Sequence, residues 1–154
     1  MNSSAEQRLK ASGILLPPAP KPLGAYVEAV QVGNLLFVSG ALPLQGGVPQ
    51  FIGRLGGELS IEDGKSAARL AALNALALVR QHLGSLDPVQ RVAQLTVTLA
   101  TTPDFQEHAK VADGASELFA EVFGADRAPT RMVSGVMSLP KGACVVVLIT
   151  LALK

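Results

Sequence analysis

Apolar and polar positions along this chain follow two different periods. Val92, Gln94, Thr96 and Thr98 interleave with Ala93, Leu95, Val97 and Leu99, which predicts a strand of about eight residues. Two longer stretches have helical spacing. Ser60 can cap a helix with Glu62 and Asp63 in its first turn, Leu70, Leu73, Ala77 and Val79 near one face, and Gly84 as its stop after Leu83. Val111, Ala115, Leu118 and Val122 mark a second helix ending before Gly124. Thr101-Thr102-Pro103-Asp104 separates this helix from the strand before it.

The flanking segments read as strands and turns. Tyr26–Val32 alternates in part and Leu35–Ser39 is apolar. Gly33-Asn34 between them is a two-residue hairpin signal, since both residues tolerate positive φ. Residues 43–58 read as a Gly- and Pro-rich loop with a short third strand near Gln50–Arg54. Met132–Ser138 and Cys144–Leu153 are the last two strands, joined by the turn Leu139-Pro140-Lys141-Gly142. Ser3 and Glu6 have capping-box spacing, which predicts a first helix over residues 4–12 that stops at Gly13. Pro17-Pro18-Ala19-Pro20-Lys21-Pro22 then forms an extended arm, because proline removes backbone donors and restricts its predecessor. Residues 1–25 are thus expected to be a helix and arm, and residues 26–154 a single domain. The element order predicts an α+β fold, a mixed sheet with both long helices on one face. Self-association is the simplest cover for the other face.

Composition sharpens that expectation. Charged residues are 16% of the 154 and apolar residues 49%, against roughly a quarter charged in ordinary soluble domains. So small a domain with so little charge is expected to bury surface against partner subunits. The net charge is +1 with no block of Lys or Arg, which argues against electrostatic capture of nucleic acid or an anionic membrane. The one cysteine, Cys144, lies in an apolar run and reads as a strand hydrophobe in a reducing compartment. No signal-peptide pattern opens the chain, and the apolar run Ala143–Leu153 is too short to span a bilayer. Cytoplasmic residence is the expectation.

The candidate chemistry is sparse. His82 and His108 have no metal-ligand spacing, and no phosphate-binding or nucleophile-elbow motif occurs. Arg131, led by Pro129-Thr130 into a strand, is the best single candidate. Its guanidinium keeps its charge and offers a planar donor fork matching two carboxylate oxygens. Tyr26, the only tyrosine, stands at the first strand's start, and Ser39-Gly40 ends the second, presenting a hydroxyl and a backbone amide.

Several segments together resemble the reactive-intermediate deaminase family, also called the Rid or YjgF family. They are Gly24-Ala25-Tyr26, the hairpin from Val32-Gly33-Asn34-Leu35 to Val38-Ser39-Gly40-Ala41-Leu42-Pro43, Val92–Val97, Pro129-Thr130-Arg131, and Leu139-Pro140-Lys141-Gly142. The N-terminal helix and Lys110–Ser116 resemble a subgroup labelled endoribonuclease L-PSP or chorismate-mutase-like. The resemblance implies a bacillus-type chorismate-mutase-like fold, a homotrimer with ligand clefts between subunits, and hydrolysis of 2-imino or 2-enamino acids to 2-oxo acids and ammonia without a cofactor. It assigns the substrate carboxylate to Arg131, and site roles to Tyr26 and Ser39, with Gly40 beside them.

Two positions depart from the pattern. Catalytic members carry a glutamate on the final strand, fifteen positions after the arginine, where this chain has Val146; Ala41 replaces the usual glutamine. Without that carboxylate the resemblance implies a weak deaminase, unless Glu28 or a neighbouring subunit supplies one. The alternative is a non-catalytic trimer that binds or senses a small carboxylate. Ribonuclease activity rests on the subgroup's label alone.

Overall fold

The computed structural model describes residues 3–154. Its main sheet has five strands in the order β1-β2-β7-β5-β6: β1 Ala29–Val32, β2 Leu35–Val38, β5 Val89–Ala100, β6 Thr130–Val136 and β7 Val145–Leu153. β5 and β6 are parallel, joined by helix α3, His108–Phe123; the other neighbours run antiparallel. Helix α2, Ile61–Leu83, packs beside α3 on the same sheet face. This is the mixed sheet with one-sided helices that the element order predicts.

Sheet alternation sorts the side chains. Leu36, Val38, Leu95, Val97, Leu99, Val147, Ile149 and Leu151 point toward the helices and are buried. Val30, Val32, Leu35, Phe37, Met132, Val136 and Leu148 are exposed, and the strand register puts them on the opposite face. That face is bare and apolar in the single chain.

The buried stripe of α2 is mostly alanine: Ala67, Ala68, Ala71, Ala72 and Ala75, followed by Leu76 and Val79. Leu70 and Leu73, expected near the inner face, are only half-buried. Small residues let the two helices approach closely. A Cβ at Gly114 of α3 would overlap the Lys65 carbonyl of α2, so only glycine fits that contact. The predicted ends of α2 hold: Ser60 and Asp63 form a reciprocal capping box, and Gly84 closes the helix at φ +82°.

Three local expectations fail. β1 begins at Ala29, so Tyr26 lies in the bend three residues before the first strand and not at its start. Helix α1 is Ala5–Ala11, and its capping box joins Ser4 and Gln7, one residue beyond Ser3 and Glu6. Glu6 is committed elsewhere. Its carboxylate accepts from Arg80 at 2.6 and 3.1 Å and from the Leu86 N–H at 2.9 Å, tying α1 to the end of α2. The third strand is also misplaced. The short hairpin is β3 Leu44–Gln45 with β4 Val48–Pro49, turning at Gly46 and Gly47, whose φ values are +59° and +79°. Residues 50–54 make only an isolated bridge, Ile52 to Ala143, because Phe51 at φ +57° breaks the extended run.

The Glu6 tie predicts a pH effect. Its hydrogen bond to Arg80 is the main cause holding the carboxyl below the ordinary 4.5, against the opposing cost of burial. A depressed carboxyl contributes stability that is complete above the unfolded value and is lost as pH falls through the folded one. Glu6→Gln should cost about 1 kcal/mol at neutral pH, allowing for solvent screening, or about 2–4 °C in Tm. The difference from the unaltered protein should vanish as pH falls well below 4.5 in a thermal melt series. A gap that persists undiminished there would contradict an ionic tie.

Candidate functional site

Tyr26, Ser39 and Gly40 come together. They line one recess, with Glu28, Lys21 of the proline arm and Leu78 of α2 among its other walls. The local chain explains their placement. The Tyr26 hydroxyl oxygen accepts from the Leu23 N–H at 2.9 Å, closing the turn where the arm meets the sheet. Ser39 Oγ donates to the Val27 carbonyl at 2.7 Å, and the Ser39 N–H donates to Glu28 O at 2.8 Å. Both hydroxyls therefore brace the recess and keep one further lone pair or proton for a ligand. Gly40 is needed for space: a Cβ there would lie 2.8 Å from Val146 Cγ1. Val146 of β7 thus packs behind Gly40, against Leu42 and Leu44, two of the residues that wall the recess. Glu28 is the carboxylate among the recess walls.

Arg131 lies elsewhere. It is on β6, the opposite edge of the sheet, three strand spacings of about 4.8 Å each from β2. Its register partner is Leu95, so it points to the helix side, where Nη1 donates to Asp113 Oδ1 at 2.7 Å and to Ser116 Oγ at 3.1 Å. Within one chain the clamp and the recess do not meet.

The remaining candidates are structural. Cys144 is fully buried, and burial pushes its thiol up to about 11, which keeps it protonated and unreactive at neutral pH. His108 packs edge-on to Phe105 with ring centres 5.1 Å apart. Among the described residues no group of three His, Cys, Asp or Glu side chains could hold a metal, and no helix is long and apolar enough to cross a membrane.

The decisive comparison covers nearly the whole chain. A family model described as "YjgF/chorismate mutase-like, putative endoribonuclease" matches residues 6–152. The chain belongs to this family. Protein TCP17 of Trypanosoma cruzi, a relative, is 41% identical over 138 residues, 89% of this chain and 86% of that protein. A crystal structure described as a putative endoribonuclease from Shewanella oneidensis superposes with a TM-score of 0.93 at 33% identity, covering 98% of this chain and 100% of that one. Escherichia coli TdcF, solved with bound serine, has a TM-score of 0.61 at 24% identity, with 90% and 94% of the two chains covered; that likeness bears on the fold.

Asp113 and Ser116, the hydrogen-bond partners of Arg131, are not singled out by the sequence, although Lys110–Ser116 contributes to the family resemblance. They are three positions apart on α3 and so share a face. That spacing was the available signal. What it lacked was the register setting α3 beside Arg131.

Proposed function

We propose that three copies of this chain pack their bare sheet faces together and bind a small 2-oxo or 2-imino carboxylate in the clefts between them. Arg131 of one subunit clamps the carboxylate, and the Tyr26–Ser39–Gly40 recess of a neighbour holds the rest. The carrying observation is the separation of these two half-sites at opposite edges of one sheet with an uncovered apolar face. Each half needs a complement that a second copy carries. The low charge content supports the same assembly.

Turnover in this reading is slow. The final strand, Val145–Leu153, carries no carboxylate, and Val146 turns a methyl toward Gly40. A site that only orients an imine gains from placement and lacks a general base. Binding is therefore the primary activity, with weak cofactor-free imine hydrolysis beside it. The net charge of +1 and the absence of a basic block give no support to a ribonuclease reading beyond the family's name. Cytoplasmic residence fits the single buried thiol.

Light scattering tests the assembly. A mass three times that of the chain is expected at micromolar concentration. A monomer mass would remove the site, since its walls come from two subunits.

A further inference from the structure

The Arg131 guanidinium is held in a particular way. It has three nitrogens, and α3 engages only one. Nη1 donates to Asp113 Oδ1 at 2.7 Å and to Ser116 Oγ at 3.1 Å, which uses both of its hydrogens. Nε and Nη2 make no hydrogen bond among the described residues. Those two nitrogens form the side-on fork of a guanidinium, with parallel N–H bonds matched to a carboxylate. Two acceptors on one nitrogen also stop the group from swinging about its last side-chain bonds. The Arg131 side chain is 27% exposed and that of Asp113 48%, so the pair lies at the surface, with the Nε–Nη2 edge unclaimed by the described residues.

A surface arginine–aspartate pair contributes little to stability on its own. Asp113 and Ser116 together give this arginine a fixed orientation, which matters more for recognition than for folding. An unpinned arginine must lose rotamer freedom when it binds a ligand.

We infer that Asp113 and Ser116 are positioning residues: they pin Nη1 of Arg131 so that Nε and Nη2 present a preformed side-on fork to the ligand carboxylate. This rests on the proposed carboxylate site. It adds two residues on α3 to that site and fixes which edge of the guanidinium receives the ligand. It also separates two roles for Asp113. A positioning carboxylate strengthens ligand binding, whereas a competing one occupies the arginine and weakens it.

The test is titration calorimetry of the full-length protein with 2-oxobutanoate, beside thermal melts. Asp113→Ala combined with Ser116→Ala should weaken binding by about tenfold or more with little change in Tm. Asp113→Asn keeps an oxygen acceptor for Nη1 and should recover most of the affinity; a merely ionic or structural role for Asp113 gives no such rescue. In an Arg131→Ala background the α3 changes should have no further effect on binding. Affinity equal to or above that of the unaltered protein in the Asp113→Ala/Ser116→Ala variant, with Arg131→Ala still inactive, would overturn the positioning role and leave the carboxylate site standing. Unchanged binding in Arg131→Ala, or no binding by the unaltered protein, would overturn both.

Discussion

Arg131→Ala is expected to abolish calorimetric binding of small 2-oxo acids. A charge-assisted hydrogen bond contributes about 1.5–3 kcal/mol, and the free Nε–Nη2 edge can make two. Loss of both should weaken binding by about a hundredfold or more, since each 1.4 kcal/mol is tenfold. Arg131→Lys should restore little. An ammonium is a point charge and cannot form the planar fork, and it would meet Asp113 without holding a second edge free. Folding should survive both changes, because Arg131 stands on an edge strand and a partly exposed arginine–aspartate pair contributes little to stability. Unchanged affinity in Arg131→Ala would return this side chain to an ordinary surface tie between β6 and α3.

Val146→Glu is expected to raise imine hydrolysis by part of the roughly 10²–10⁴-fold that a positioned general base contributes. Val146 lies on the sheet face away from the helices, opposite Thr98 on β5, and touches Gly40 beside Ser39. A carboxylate there would stand behind Gly40, one residue removed from the recess wall. It would be half-exposed in one chain and more buried in the proposed trimer, where desolvation would raise its pKa and favour a proton acceptor near neutrality. The reaction is followed as 2-oxobutanoate formation from 2-iminobutanoate made by a threonine dehydratase. The unaltered protein should be slow. A rate matching that of a glutamate-bearing relative would contradict the reading of Val146, as would a folded, trimeric Val146→Glu protein with no gain.

The sequence reading succeeded where local chemistry decides local structure. Ser60, Asp63 and Gly84 bracket α2 because caps act within one turn of the helix they end. Gly33-Asn34 marks the hairpin, although only Gly33 uses positive φ, at +60°. The reading failed where a distant partner intervened. Glu6 looked like a capping residue until Arg80, 74 positions away, claimed it. Gly46-Gly47 is a turn flanked by strands too short to show alternation. At the site, Tyr26, Ser39 and Arg131 were legible through the family pattern, but the hydrogen bonds that hold them were not. Those to Arg131 depend on the crossover that carries α3 from β5 to β6, a matter of packing and not of spacing.

The central claim is that each site takes its two halves from different subunits. Mixed trimers test it most directly. One parent carries Arg131→Ala and an intact recess; the other carries Tyr26→Ala with Ser39→Ala and an intact Arg131. Each parent alone should bind 2-oxobutanoate poorly. Unfolded together and refolded as a mixture, they should regain binding at those interfaces where the intact arginine faces the intact recess. A refolded mixture that is trimeric yet binds no better than its two parents would contradict a site shared between subunits.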